Sequence, residues 1–219
     1  MLTLIRLATL KDIQMRLKSV KNIEKITKSM KMIATTKLTR ARRSMEIAKV
    51  IGAAQTEVAK NIQLPETESS VFLAITSDRG LCGGIHSAIS KKIKRTVKPS
   101  SLIVAIGDKS KAQLGRDHRE KIVYSFNQLG KETPLFEEAL SIANILLSDE
   151  KLKGVTHNAV YNQFKSVIAY ETAVVELPTP DKIKSVDLGK YENEDESFTN
   201  AAEFLYASKV IYYLSSYLL

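Results

Sequence analysis

The residues best suited to chemistry lie close together in one short turn, residues 77–84. The turn holds two charged side chains, a thiol and three glycines: Asp78, Arg79, Cys82, Gly80, Gly83 and Gly84. It stands between an apolar run and a helical pattern, which is the layout of a phosphate-binding loop. Such loops also use a Lys and a Ser or Thr, and neither GxGxxG nor a GxxxxGK motif is present. We therefore expect the glycines to permit a tight strand-to-helix turn, with a nucleotide-using enzyme as the alternative.

The side chains around this turn do not form a catalytic set in the sequence. Cys82 is the only cysteine and has no base beside it, so we expect a buried structural residue rather than a nucleophile. His86 is expected to be a hydrogen-bonded surface residue, and Asp78 and Arg79 are expected to pair with each other or with a partner. No triad, spaced carboxylate pair or metal-ligand spacing occurs. We therefore predict no catalytic residue, no bound metal and no cofactor.

Strands alternate with helices around this turn. Short continuous apolar runs, typical of strands buried on both faces, occur at 71–76 and 102–106, and a third strand is predicted at 121–126. Helical spacing of apolar residues occurs at 85–98, 108–115, 135–147 and 198–219. Two longer strands, 155–164 and 166–176, predict a hairpin. This order predicts a three-layer α/β domain with a mostly parallel central sheet and a late antiparallel pair.

One long helix is predicted before the α/β domain, from Thr9 to about Asn61. Thr9 is a suitable N-cap, with Asp12 three positions on as an acidic variant of the capping box. Apolar residues then recur at Leu10, Ile13, Leu17, Val20, Ile23, Ile26, Met30 and Ile33. Their mean spacing of about 3.3 residues predicts a stripe that wraps left-handed around a partner. A rod of roughly 75 Å is too long for one domain to cover, so part of it must contact another polypeptide.

The positive charge of the protein is concentrated on the same helix. Residues 9–60 hold 13 Lys and Arg against four acidic residues, a net charge of +9, whereas the remainder holds 20 of each. Such a helix favours an acidic or strongly hydrogen-bonding partner. A solvated arm and a nucleic-acid-binding helix are the alternatives. The helix has no aromatic side chain for base stacking, which disfavours the second.

Two groups of segments carry specific motifs. Those in the long helix are Ala8–Ile13, Arg16–Ile23 and Lys25–Met32, and those in the α/β domain are Thr76–His86, Gly107–Lys109 and Tyr161–Val167. The first group resembles the N-terminal helix, and the second the α/β domain, of a known family, the gamma subunits of mitochondrial F-type ATP synthase. The resemblance covers roughly residues 8–214.

The resemblance implies a non-catalytic rotor subunit, peripheral to the mitochondrial inner membrane on its matrix side. Its helix is expected inside the hexamer of alpha and beta subunits, and its α/β domain near the delta and epsilon stalk subunits and the membrane-embedded ring of c subunits. Rotation would couple proton flow to ATP synthesis on beta, and no nucleic acid is involved. The partner-contact residues expected from helix and turn are Ile13, Arg16, Leu17, Val20, Lys25, Lys28, Met30, Lys31, Ile33, Asp78 and Arg79.

Four segments are expected along the chain. They are the helix at 1–64, a linker at 65–70, the α/β domain at 71–197 ending in a polar, mobile loop from 178, and a terminal helix at 198–219. We expect that helix to pack on the sheet rather than span a membrane. The family's subunit continues into a second long helix, and its import peptide is longer than the seven residues before Ala8. A truncated or divergent form is therefore expected, with a non-rotary or inhibitory assembly factor as the alternative.

Overall fold

A computed structural model describes residues 9–60, 69–129, 135–166, 168–180 and 195–217. The chain divides into two units, Met1–Arg42 and Arg43–Leu219. The long helix α1 begins in the first unit, and the second contains the sheet.

Helix α1 spans Leu10–Lys60, as the absence of proline predicts, and its 51 residues give a length of about 77 Å. The predicted capping box at its start is confirmed. The hydroxyl of Thr9 accepts the N–H of Asp12 at 3.3 Å, and the Asp12 carboxylate accepts the N–H of Thr9 at 3.1 Å. Hydrogen bonds from the Thr9 side chain and backbone hold the pKa of Asp12 below its usual value. The carboxylate also suits the positive end of the helix dipole.

The second unit is built on one sheet. Its described strands are β1 (Ser70–Ile75), β2 (Leu102–Ile106), β3 (Ile122–Phe126), β4 (Thr156–Ser166) and β5 (Ala169–Leu177). They lie in the order β3-β2-β1-β4-β5, and all neighbours are parallel except β4 and β5. The helices are α2 (Ile85–Thr96), α3 (Asp108–Leu114), α4 (Phe136–Ser148) and α5 (Asp195–Tyr217), and short 3-10 helices occupy Arg119–Lys121 and Glu150–Leu152. The predicted fold class is confirmed.

Strand β1 lies at the centre of the sheet and is buried on both faces. Because side chains alternate along a strand, Val71, Leu73 and Ile75 pack into the core formed with α4 and α5. Phe72 and Ala74 pack on the opposite face, against α2 and α3. The sheet is therefore the middle layer of three.

Helix α5 belongs to this core, as predicted for a terminal helix packed on the sheet. His157 of β4 is buried, and its Nε2–H donates to the carbonyl of Leu152 at 3.1 Å. Its Nδ1 therefore accepts a hydrogen bond from the hydroxyl group of Tyr206 on α5, at 2.8 Å. The rings of Tyr213 and Tyr161 pack against each other at a tilt of 34°, with centroids 4.3 Å apart. Within the described ranges, no helix combines the length and the apolar composition that crossing a bilayer requires.

The structure also corrects one expectation. The polar loop was predicted to start at residue 178, yet Pro178 and Thr179 are buried because β5 runs one residue further than expected, to Leu177. Residues 181–194, which carry most of the predicted loop, lie outside the described residues. Helix α5 begins at Asp195, three residues before the predicted start.

The buried tyrosines predict a loss of stability in alkali. Burial raises the pKa of Tyr161 from 10.0 to about 12 and also raises the pKa of Tyr206 and Tyr213. Because the folded state holds these protons more tightly, their contribution to the free energy of unfolding is complete below the unfolded pKa near 10.0. The contribution of Tyr161 is lost as pH rises toward about 12. Urea unfolding across that range should give a steeper decline for the wild type than for Tyr161→Phe. The exposed Tyr170→Phe is the matched control; if it flattens the decline as much, the explanation is wrong.

Candidate functional site

The predicted partner-contact residues of α1 lie at its surface. We call the apolar seam the stripe Ile13, Leu17, Val20, Ile23, Ile26, Met30 and Ile33. Its side chains are between 54% and 61% exposed. A monomeric protein rarely leaves a contiguous apolar stripe of this length in water. If a partner covered it, burial of the exposed part of seven side chains would contribute roughly 7 kcal/mol.

A basic stripe runs along the same helix, on a different side from the apolar seam. It comprises Lys18, Lys21, Lys25, Lys28 and Lys31, which follow one another at intervals of three or four residues and are exposed. Like charges at these intervals repel, each pair costing about 0.2–0.5 kcal/mol of helix stability. None of them, nor Arg16, lies within ion-pair distance of an acidic residue in the part of the chain that the structure describes. Their counter-charges are thus not supplied by the residues that the structure describes.

Asp78 has a role that sequence reasoning missed. It follows β1, whereas Asp108 follows β2 and Gln128 follows β3. One oxygen of the Asp78 carboxylate accepts the N–H of Asp108 at 2.8 Å, and the other accepts the N–H of Gln128 at 2.7 Å. The second contact holds Gln128 in a left-handed conformation, with φ of 60°. The carboxylate thus joins three strand ends at one edge of the sheet. A signal was available in Asp78 itself, since an Asp just after a strand often accepts backbone N–H groups.

Gly107 completes this edge of the sheet. Its φ is +94°, and a Cβ there would lie 2.5 Å from the carbonyl oxygen of Thr76. Its N–H donates to the carbonyl of Phe126 at 2.7 Å. The close approach of the chain after β1 and after β2 therefore depends on the missing side chain.

The glycine turn is held by its own polar groups. The Cys82 thiol donates to the carbonyl of Gly80 at 3.1 Å, and the Nε2–H of His86 donates to the carbonyl of Arg79 at 3.1 Å. Burial lowers the pKa of His86, which the bond to Arg79 opposes. Of the three glycines only Gly83 has a positive φ, and the exposed Leu81 shares that conformation.

Two expectations for this turn are corrected. His86 is hydrogen-bonded as expected, but it is buried rather than on the surface. It lies in the first turn of α2, where its ring contacts the carbonyl of Arg79 in the preceding loop. Cys82 is only partly buried. Within the described ranges, no group of three His, Cys, Asp or Glu side chains is arranged to hold a metal ion.

The predicted contact residues fall into two sets. Those of α1, from Ile13 to Ile33, belong to the first unit, and Asp78 and Arg79 belong to the second. Their role as partner contacts stays a prediction, because the structure holds no partner chain.

Comparison with known proteins defines the class of this protein. A family model described as ATP synthase matches residues 9–219, so the chain belongs to that family. The mitochondrial gamma subunit of Yarrowia lipolytica is 41% identical over 93% of this chain and 72% of its own length. The rat mitochondrial gamma subunit is 42% identical over 75% of this chain and 63% of its own length. Within the ATP synthase family, the chain is thus a member of the gamma subunits, and the resemblance inferred from its motifs is confirmed.

A solved structure shares the fold. The chain is similar to one from the central stalk and c-ring of the Tetrahymena thermophila mitochondrial ATP synthase, with a TM-score of 0.72 and 24% identity. The similarity covers 88% of this chain and 92% of that one.

Removing the Asp78 carboxylate should loosen the joined strand ends. Asp78→Ala loses two hydrogen bonds to a charged acceptor, so we expect it to cost about 2–4 kcal/mol of unfolding free energy. Asp78→Asn keeps one acceptor and should cost less. In hydrogen exchange, the amides of Asp108 and Gln128 should exchange faster, while that of Ser110, which donates to Thr76, should change little. If the amides of Asp108 and Gln128 exchange no faster in Asp78→Ala than in the wild type, this role is contradicted.

A methyl group at Gly107 should be far more damaging than one at another glycine with positive φ. Gly107→Ala adds a backbone clash to the conformational strain, and we expect a loss above about 2 kcal/mol. Gly154→Ala is the control, because its φ is +70° but no atom lies within 4 Å of the added carbon. It should cost about 1 kcal/mol, the strain alone. Similar urea midpoints for the two variants would show that the clash with Thr76 adds nothing to the destabilisation of Gly107→Ala.

Proposed function

We propose that this chain works as the gamma subunit in the central stalk of a mitochondrial F-type ATP synthase. The observation that carries the proposal is the exposed apolar seam with its parallel basic stripe, on a helix of 51 residues in a chain of this family. The relatives that it matches bear that subunit's name, and the solved structure of similar fold comes from a central stalk and c-ring.

The partners of α1 in this proposal are the alpha and beta subunits. The seam packs against an apolar partner helix, and the basic stripe meets acidic loops of the surrounding hexamer. The two lie on different sides of the helix. Lys25 and Lys28 each follow a seam residue by two positions, a rotation of about 200°, and the other three lysines follow one directly, a rotation of about 100°. A shaft with different chemistry on its sides contacts each surrounding subunit differently at each angle. Turning it therefore favours a different state of each nucleotide site, which is the differential interaction that coupling requires.

The α/β body binds the other stalk components in this proposal. Its partners are the delta and epsilon stalk subunits and the ring of c subunits, and the chain lies peripherally on the matrix side of the inner membrane. The catalytic residues belong to beta, so this chain contributes movement and no reacting group. The division into a shaft at 1–64, a linker at 65–70, a body from 71 and a terminal helix, which the structure begins at Asp195 rather than at 198, belongs to the proposal.

The proposal predicts that charge on α1 affects coupling without affecting folding. The triple variant Lys25→Gln, Lys28→Gln, Lys31→Gln should keep its circular dichroism, because the three side chains are exposed. It should lower ATP synthesis several-fold when it replaces the gamma subunit in reconstituted membranes. Lys151→Gln with Lys153→Gln, on the α/β body, is the matched control and should leave synthesis unchanged.

Assembly is the stricter test. The wild-type chain should co-purify with alpha and beta subunits, and Leu17→Asp with Val20→Asp should not, because two carboxylates would be buried in the seam. A wild-type chain that fails to bind both subunits would overturn the proposal. A chain that binds them but blocks synthesis would instead identify an inhibitory form.

A further inference from the structure

The α/β body is polarised in a way that its balanced composition hides. The segment 85–121, which contributes α2, α3 and the first 3-10 helix to one face of the sheet, holds ten Lys and Arg against three acidic residues. The opposite helix layer, residues 135–154 and 195–217, holds seven acidic residues against three lysines in its sequence. The first layer therefore has a net charge of +7 and the second −4.

The basic residues of the first layer form one continuous surface. We call this the basic layer; its exposed members are Lys91, Lys92, Lys94, Arg95, Lys98, Lys111, Arg116 and Arg119. Two contacts join its parts. Lys94 of α2 forms an ion pair with Asp117, and Lys121 donates to the carbonyl of Lys98 at 2.8 Å. The segment after α3 is thereby held beside the end of α2.

Packing directs the charges of α2 outward. Ile89 and Ile93 are fully buried against the sheet, so Lys91, Lys92 and Arg95 occupy the opposite side of the helix. Asp117 is engaged by Lys94, which lowers the pKa of that carboxyl. No other ion pair between described residues involves the basic layer. Such a concentration of like charge opposes folding and is not required by the core.

The kind of partner follows from what the basic layer lacks. Among the described residues, it exposes no large apolar side chain, and its sequence contains no Phe, Tyr or Trp. Protein interfaces usually have an apolar or aromatic centre, and single-stranded nucleic acid is held by aromatic stacking. Duplex DNA is read by an element that enters a groove, whereas α2 lies flat on the sheet. A broad, purely cationic surface fits the headgroups of an anionic bilayer.

We propose that the basic layer of α2, α3 and the following 3-10 helix is an electrostatic docking surface for anionic phospholipid headgroups. The proposal goes beyond the stalk role and does not depend on it, because it rests on the charge and packing of the body alone. The headgroups supply the counter-charges that the described residues do not provide. Adsorption is by charge without insertion, so it weakens steeply as salt is raised.

The test is binding of the full chain to vesicles of phosphatidylcholine with or without roughly a third phosphatidylglycerol. Lys91→Gln, Lys92→Gln, Arg95→Gln should lower partitioning onto the anionic vesicles at least about tenfold, since each basic residue near such a surface contributes substantially. The basic stripe of α1 also attracts anions, so Lys25→Gln, Lys28→Gln, Lys31→Gln is measured beside it. The proposal is overturned if only the α1 variant loses binding.

Lysine acetylation followed by mass spectrometry locates the contact within the wild-type chain. With anionic vesicles present, Lys91 and Lys92 should react about fivefold more slowly, while Lys151 and Lys153, between α4 and β4 on the acidic side, should react as before. Equal rates with and without vesicles would overturn the proposal. So would displacement of the chain from vesicles by duplex DNA or polyglutamate at matched charge concentration, with Lys91 and Lys92 protected by that polymer more strongly than by lipid. Neither outcome bears on whether the chain binds alpha and beta subunits.

Discussion

Burial of strand β1 on both faces is the constraint on which the rest of the body depends. Val71, Leu73 and Ile75 need one apolar cover, and Phe72 and Ala74 need another, so a helix layer must lie on each side of the sheet. The parallel strands beside β1 then bring their carboxyl ends to one edge. There, a single carboxylate joins the loops, and a glycine lets two of them touch.

Helix α1 faces the same requirement and meets it differently. Its apolar seam has the composition of a core but remains more than half exposed, and the lysines of the basic stripe lack acidic partners among the described residues. The body completes its burial among the described residues, whereas the seam of α1 still requires a helical partner.

Charged surfaces with few ion-pair partners among the described residues are a second such feature. The long helix is cationic along its length, and the body, although neutral in composition, is cationic on one helix layer and acidic on the other. The seam with its stripe suits the interior of a hexamer, and the basic layer suits a smooth anionic surface. The two sets of charges thus have different neighbours. Salt should weaken the binding of the basic layer to an anionic surface more than it weakens charge contacts enclosed by subunits.

The sequence by itself determined the elements, the fold class and the family, because helical and strand periods depend on residues only a few positions apart. It also identified the seam and the lysines Lys25, Lys28 and Lys31. Tertiary structure alone decided that Asp78 reaches Gln128, 50 residues away, and that His157 bonds to Tyr206, 49 residues away. It also separated the balanced charges of the body into two layers. These features depend on the order of strands in the sheet, which places residues together that no local pattern relates.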